Sequence, residues 1–121
     1  MILYSKHIYL PNQIKKEGYL HIEEGKIIGI YDTYEGDFVD YSDYYLIPGF
    51  IDQHIHGWAT GRYYPGNTTD NLKKMQETLP YAGVTSFLPT TGAWTDDELK
   101  QVIKDTTEHM KQQTSEMGSE I

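Results

Sequence analysis

Cysteine is absent from this chain of 121 residues. Disulfides and thiolate zinc sites are therefore excluded, and any bound metal must be held by His, Asp, Glu or a modified Lys. Basic residues are also scarce, because 10 Lys and Arg stand against 18 Asp and Glu, which gives a formal net charge of −8. Nucleic-acid-binding proteins need a basic stripe facing the phosphates, and this sequence has none. We therefore expect no nucleic-acid partner.

Long apolar runs are missing as well. Hydrophobic residues make up 38% of the chain, and no window approaches the roughly 20 apolar residues of a membrane span. Tyr4, Lys6 and His7 interrupt the N-terminal segment, which has no signal-peptide core. We therefore expect no membrane partner and a cytoplasmic location. The length suits about one domain with a modest core.

The first part of the chain, residues 1–47, has the pattern of short β-strands. Residues 2–10 read as one extended stretch that stops at Pro11. Two further strands flank the sequence EEG at residues 23–25, a short glycine-containing loop that fits a hairpin. The pattern predicts the N-terminal part of a small β-sandwich domain.

From Pro48 onward, strands and helices alternate. A buried strand is predicted at residues 50–56, followed by a glycine-containing loop. A helix then begins at Thr68 or Thr69, and Gly83 closes it. A second strand at residues 84–88 is rich in β-branched and apolar residues. Such alternation predicts parallel strands joined by right-handed crossovers.

A second helix has a well-marked start at Thr95, because the sequence TDDE matches a capping box. Its predicted apolar face consists of Leu99, Val102, Ile103, Thr106 and Met110. Before this helix, Thr90 and Thr91 end the second strand, and we expect them to make turn hydrogen bonds. A parallel sheet of this size leaves its edges unpaired, which favours a homo-oligomer.

The sequence PGFIDQHIHG at residues 48–57 carries the strongest chemical signal. Residues two apart on a strand face the same side, so Asp52, His54 and His56 line one face. Two neutral imidazoles side by side make half of a transition-metal site. We predict His54 and His56 as metal ligands. Asp52 is a candidate partner that supports them, or alternatively a carboxylate that satisfies nearby backbone donors.

The same sequence resembles the first barrel strand of the metal-dependent amidohydrolases. Within that superfamily, GVTSFLPTT at residues 83–91 resembles the second strand of the N-acetylglucosamine-6-phosphate deacetylases. The sequence GKIIGI at residues 25–30 is similar to the N-terminal β segment of amidohydrolases generally. The resemblance implies a (β/α)₈ barrel beside a small β-sandwich, with the active site at the carboxyl ends of the barrel strands. It also implies Zn, Fe or Mn as cofactor and an amino-sugar phosphate as partner, deacetylated to glucosamine 6-phosphate and acetate.

The resemblance also implies what this chain lacks. The family's metal-binding glutamate follows the third barrel strand, and this chain ends where that strand would begin. The predicted fold is therefore α/β: an N-terminal β-sandwich segment at residues 1–47, then the first two βα units of an incomplete barrel at residues 48–121. No catalytic or substrate-binding residue is assigned, and the isolated chain is predicted to be inactive. The alternatives are part of another amidohydrolase, a cyclic amidase or deaminase, and a truncated, self-associating interaction module.

Overall fold

The structure is a computed structural model that describes residues 1–15 and 17–121. These residues form two compact units, Met1–Pro48 and Gly49–Ile121. The protein is mixed α/β, and within the described part of the chain no helix is long and apolar enough to cross a membrane. The strands of the first unit are β1 (Ile2–Ser5), β2 (His7–Leu10), β3 (Gln13–Lys15), β4 (Gly18–Glu23), β5 (Lys26–Tyr31), β6 (Val39–Asp40) and β7 (Tyr45–Leu46). The second unit contains β8 (Phe50–Ile55), β9 (Gly57–Trp58), β10 (Gly61–Arg62), α1 (Thr68–Thr78), β11 (Val84–Pro89) and α2 (Asp96–Met110).

Two sheets make up the first unit, with strand orders β5-β4-β1-β6 and β3-β2-β7. Apolar side chains from both sheets line a shared cavity of about 100 Å³. The predicted hairpin is confirmed: β4 and β5 pair antiparallel, and the chain reverses at Glu24 and Gly25. Both residues have positive φ, as a two-residue hairpin turn of the primed kind requires.

The prediction of one extended stretch over residues 2–10 is wrong. β1 and β2 belong to different sheets, and the chain bends between them. The buried Ser5 hydroxyl accepts a hydrogen bond from the His7 N–H at 3.0 Å and donates to the Tyr44 carbonyl at 2.7 Å. This side chain therefore replaces a ladder hydrogen bond and turns the backbone into the second sheet. Beyond Pro11, the unpredicted β3 pairs back onto β2.

The second unit confirms the predicted alternation of strands and helices. β8 and β11 are parallel, with Phe50 opposite Val84 and Ile55 opposite Pro89, and α1 lies in the connection between them. A further parallel bridge joins the other edge of β11 to Glu120. Its backbone N–H donates to the Thr85 carbonyl at 2.9 Å, and its carbonyl accepts from the Phe87 N–H at 2.8 Å.

The core of the second unit lies where both helices pack against the sheet. Its buried residues are Ile55, Tyr63, Leu72, Met75, Leu79, Phe87 and Val102. The expectation that β8 is a buried strand is wrong in this structure, because Phe50 is 57% and Ile51 is 65% exposed. Within the described residues β8 pairs with β11 alone, and only Ile55 on this strand is buried in the core.

Both helix starts were predicted, one of them with the wrong cap. The capping box of α2 is present, with Thr95 as N-cap and Glu98 completing it. For α1 the N-cap is Asn67, without a side-chain cap bond, because the Thr68 hydroxyl donates instead to the Tyr64 carbonyl at 3.3 Å. α1 itself ends at Thr78, and a 3₁₀ turn at Leu79–Ala82 follows it. Gly83, which was predicted to close the helix, ends this turn in the left-handed conformation.

The apolar face predicted for α2 is wrong at two positions. Val102 is fully buried, but Ile103 and Met110 are exposed, and His109 is buried on the inner side instead. Burial of this imidazole is feasible because its Nε2–H donates to the Gln76 side-chain carbonyl at 2.6 Å. A hydrogen-bonding partner on α1 therefore decides which residue of α2 is buried.

Candidate metal centre

The imidazoles of His54 and His56 meet at the carboxyl end of β8. His54 lies in the strand and His56 is the residue that follows it, and both side chains are exposed. Their Nε2 atoms are 3.2 Å apart, and the ring centroids are 5.1 Å apart. The structure therefore brings the two predicted ligands together through the same nitrogen of each ring.

This spacing fits two ligands of one metal ion. Zinc–imidazole distances of about 2.0–2.1 Å and a tetrahedral angle place two ligand nitrogens about 3.3 Å apart. Imidazole also suits iron and several other divalent transition metals. In the described part of the chain, no group of three or more His, Cys, Asp or Glu residues comes together. The pair thus supplies two of the three protein ligands that a catalytic zinc site usually has.

The tautomer of the neutral His56 ring follows from its contact with the residue after β11. Its Nδ1 lies 3.0 Å from the backbone carbonyl oxygen of Thr90. A carbonyl oxygen only accepts hydrogen bonds, so Nδ1 carries the proton and donates it. The neutral ring then has its lone pair on Nε2, the atom that faces His54. Such a hydrogen bond on the far ring nitrogen is the usual way in which proteins orient a metal-binding histidine.

Thr90 also holds the end of β8 in place. Its hydroxyl accepts from the Ile55 N–H at 3.0 Å and donates to the Leu88 carbonyl at 3.3 Å, while its own N–H donates to the Ile55 carbonyl at 2.8 Å. The turn hydrogen bond expected of this residue is present. The contacts to β8 were missed, because they depend on the register between β8 and β11.

Asp52 contacts the pair through the backbone. Its Oδ1 accepts a hydrogen bond from the His54 N–H at 3.0 Å. This contact corresponds to the alternative considered for Asp52, a carboxylate that satisfies a local backbone donor. The same bond also restrains the residue that carries the first imidazole.

The three remaining histidines have other surroundings within their own units. His7 stacks on Tyr45 with centroids 4.7 Å apart, and His21 lies on β4 in the first unit. His109 is buried beside Gln76. Burial lowers the pKa of His109, and the nearby positive charge of Lys73 lowers it further.

A short hairpin, formed by β9 and β10, follows the histidine pair directly, where the sequence pattern indicated a loop. Arg62 lies opposite Gly57, and the Tyr63 N–H donates to the His56 carbonyl at 2.9 Å. The hairpin and His56 line an open cleft of about 380 Å³. Arg62 borders this cleft and was missed, because one basic residue in a loop makes no pattern. The available signal was that Arg62 is the chain's only arginine.

None of the known protein-family models matches the chain. Among curated proteins, the chain is similar to the N-acetylglucosamine-6-phosphate deacetylase of Bacillus subtilis. The two are 32% identical over an alignment of 124 positions, gaps included, which covers 94% of this chain and 30% of the relative.

Solved structures of deacetylases with the same name are also similar to the chain. The N-acetylglucosamine-6-phosphate deacetylase from Pasteurella multocida matches with a TM-score of 0.83 and 26% identity, over 94% of this chain and 32% of that one. A variant of the Mycobacterium smegmatis deacetylase, solved in complex with N-acetyl-D-glucosamine-6-phosphate, shares the fold with a TM-score of 0.73 at 15% identity, over 92% of this chain and 29% of that one. By sequence and by fold, the chain is similar to N-acetylglucosamine-6-phosphate deacetylases and spans about a third of their length.

Proposed function

We propose that this chain forms part of a metal-dependent deacetylase that converts N-acetylglucosamine 6-phosphate to glucosamine 6-phosphate and acetate. The observation that carries the proposal is the pair of imidazole nitrogens, 3.2 Å apart, at the carboxyl end of β8. The similarity to deacetylases in sequence and fold supports this reaction over others of the superfamily.

We propose the architecture on the same basis. β8, α1, β11 and α2 correspond to the first two βα units of a (β/α)₈ barrel, and the parallel bridge at Glu120 is compatible with a third strand. Barrel enzymes place their chemistry at the carboxyl ends of the strands, where His54 and His56 lie. The two sheets of the first unit correspond to part of a β-sandwich.

In this proposal His54 and His56 hold a divalent metal, zinc, iron or manganese, through Nε2. When bound, such an ion lowers the pKa of a water ligand and polarises the acetamide carbonyl. The Thr90 carbonyl holds the Nδ1 proton of His56 and thereby keeps Nε2 available. The Asp52 carboxylate accepts the His54 N–H and thereby restrains the backbone of His54. An amino-sugar phosphate as substrate is supported by the ligand of the mycobacterial relative.

Acetate release tests the function. The polypeptide encoded by the complete reading frame that contains these residues is expected to release acetate from N-acetylglucosamine 6-phosphate. His54→Ala and His56→Ala are expected to lower both the activity and the bound metal, because each removes one ligand. His7→Ala and His21→Ala are matched controls, since these histidines lie in the first unit. Absence of acetate release with added zinc, iron and manganese would refute the proposal.

We further propose that the 121-residue chain self-associates. Phe50 and Ile51 on β8 and Leu88 on β11 are all more than half exposed, an apolar surface that favours association in water. Light scattering of the purified chain is expected to show a dimer or larger species. A well-folded monomer over the whole concentration range would contradict self-association.

A further inference from the structure

The first unit carries an open cleft that the proposed deacetylase function does not use. The cleft has a volume of about 500 Å³ and is lined by His21, Tyr31, Thr33, Tyr34 and Glu35. We propose that it binds a quaternary alkylammonium ion on the faces of its tyrosine rings, beside the Glu35 carboxylate. None of these residues belongs to the histidine pair, so such a site does not depend on the deacetylase function.

The aromatic residues of the cleft lie on the outer face of the four-stranded sheet. Tyr31 on β5 is opposite Tyr19 on β4, and His21 is two residues further along β4, so all three point to the same side. The alternate residues Leu20 and Ile30 line the apolar cavity between the two sheets of this unit. The tyrosines are therefore turned away from that cavity and towards the cleft.

Two glycines let the tyrosine rings of the cleft lie close to the backbone. A Cβ on Gly29 would lie 3.1 Å from Tyr31 Oη and 3.2 Å from Tyr31 Cζ. A Cβ on Gly36 would likewise lie 3.0 Å from both Cε1 and Oη of Tyr34. The outer part of each ring thus rests where a larger residue would place its side chain. Tyr31 nevertheless remains 42% exposed and Tyr34 37% exposed, so both rings are accessible to a ligand.

Neighbouring rings hold the two tyrosines in position. The Tyr34 centroid lies 6.0 Å from that of Tyr19, which lies 5.0 Å from that of Tyr4. The Tyr31 centroid lies 6.3 Å from that of the His21 ring. Separations in this range are those of packed aromatic pairs. The rings are therefore ordered before a ligand arrives, which lowers the entropic cost of binding.

The charge around the cleft favours a cation. Residues 31–43 contain five acidic residues and no Lys, Arg or His. Asp32 pairs with Lys15, whereas the exposed Glu35 forms no salt bridge among the described residues. A carboxylate beside aromatic rings attracts a cation, because the face of each ring is also negative. The same two features repel an anionic ligand.

The ring faces also determine the form of the cation. A primary ammonium group or a guanidinium has several N–H donors that need acceptors, which ring faces do not supply in number. A quaternary ammonium ion has no N–H, and its methyl groups pack on the rings while its charge interacts with their faces. A cleft of about 500 Å³ falls within the range of small-molecule sites. Because exposed cation–π contacts are weak, we expect a dissociation constant on the order of 1 mM.

Titration of the ¹⁵N-labelled 121-residue chain with choline tests the site. The comparison ligand is the neutral alcohol in which a tert-butyl group replaces the trimethylammonium group, so that shape is kept and charge is lost. Choline is expected to shift the amide signals of residues 29–36. We also expect it to bind at least about fivefold more tightly than the alcohol, since only choline gains the cation–π and carboxylate interactions.

Substitutions separate the contribution of the ring from that of the carboxylate. Tyr34→Leu is expected to weaken choline binding about two- to fivefold, while Tyr34→Phe keeps the ring face and the affinity. Glu35→Gln is expected to weaken binding about two- to fivefold, as for an exposed ion pair. Tyr81→Leu, at a tyrosine that is 93% exposed, and Glu108→Gln on α2 are the matched controls in the second unit.

Four outcomes overturn the site: no choline binding by the unsubstituted chain, equal binding of choline and the alcohol, unchanged affinity in Tyr34→Leu, or an equal loss in Tyr81→Leu. Binding of N-acetylglucosamine without binding of choline would also overturn it, because the cleft would then be specific for a neutral sugar. If the amide spectrum shows that Tyr34→Leu is unfolded, Glu35→Gln and the comparison of the two ligands decide. Acetate release enters none of these measurements, so failure of the deacetylase proposal leaves this test intact.

Discussion

At the scale of single residues, Thr90 shows how one side chain connects two strands. Its hydroxyl accepts a hydrogen bond from the Ile55 N–H at the end of β8, and its carbonyl accepts one from the Nδ1–H of His56. The hydroxyl and the carbonyl thus serve different purposes. The hydroxyl stabilises the strand end, and the carbonyl orients an imidazole.

Substitution of the Thr90 side chain tests the role of the hydroxyl alone, because the backbone carbonyl remains. Thr90→Val leaves the Ile55 N–H without its side-chain acceptor and is expected to lower the free energy of unfolding by about 1 kcal/mol. Urea denaturation measures this difference. Thr90→Ser retains the hydroxyl and serves as the control. If the valine and serine variants are equally stable, the hydroxyl contributes nothing at this position.

His109 makes stability depend on pH. Burial and the charge of Lys73 lower its pKa, so the unfolded chain binds a proton more readily than the folded one. The stability that depends on a neutral His109 is therefore present above the unfolded pKa of about 6.5 and is lost as the pH falls below that value. We expect the free energy of unfolding to fall between pH 7 and pH 5, and to fall less in His109→Gln, which keeps a donor for Gln76. Urea denaturation of both proteins across this pH range measures the two dependences. The same pH slope in the unsubstituted protein and in His109→Gln would contradict the prediction.

At the scale of elements, the segment at residues 118–121 is attached to the second unit by specific contacts. The Ser119 hydroxyl donates to the Val84 carbonyl at 2.6 Å, and the Gln76 side chain donates to the Ser119 carbonyl at 3.0 Å. Gly118 makes this approach feasible, because its φ is +105° and its Cα lies close to the backbone of α1. The parallel bridge at Glu120 therefore depends on the absence of a side chain two residues earlier.

Two alanine substitutions isolate this close approach. A Cβ on Gly118 would lie 2.1 Å from the Gln76 carbonyl oxygen, whereas one on Gly66, which has φ of +94°, would meet nothing within 4 Å. Gly66→Ala is therefore expected to lower the free energy of unfolding only through backbone strain, by about 1–2 kcal/mol. Gly118→Ala is expected to be less stable by about a further 1–3 kcal/mol and to speed hydrogen exchange at the Phe87 amide, which donates to Glu120. Equal effects of the two substitutions would show that the contact is unimportant.

Elements set by local sequence were predictable, and elements set by distant partners were not. The hairpin at Glu24 and Gly25 and the capping box at Thr95 need only neighbouring residues, and the structure contains both. The bend at Ser5, by contrast, depends on the Tyr44 carbonyl. Likewise, the choice of His109 over Met110 as the buried residue of α2 depends on Gln76. Such partners lie more than 30 positions away and leave no periodic pattern.

At the scale of the whole molecule, the candidate site is divided between predictable and unpredictable parts. His54 and His56 were identified because strand periodicity places them on one face, and the structure places their Nε2 atoms together. Arg62 was not identified, because its relation to the pair depends on a hairpin whose β10 strand packs against α1. Sequence patterns therefore indicated the candidate metal-binding groups but not the groups that surround them.

The number of metal ligands leads to a prediction for the chain as a whole. With two imidazoles in the pair and no group of three ligands among the described residues, the 121-residue polypeptide alone is expected to release no acetate from N-acetylglucosamine 6-phosphate. An acetate assay with added zinc, iron or manganese measures this. Turnover that disappears in His56→Ala would contradict the prediction, and circular dichroism of both proteins serves as the folding control.

The partner of His56 is a main-chain atom, and this has a genetic consequence. All amino acids at position 90 present the same carbonyl oxygen, so no single codon change there deletes the acceptor of the Nδ1 proton. If His54 and His56 bind a metal as proposed, a mutational screen for lost metal binding would recover both histidines and leave this contact undetected. Substitutions at position 90 therefore leave in place the carbonyl that orients the imidazole, as long as the backbone path after Pro89 is kept.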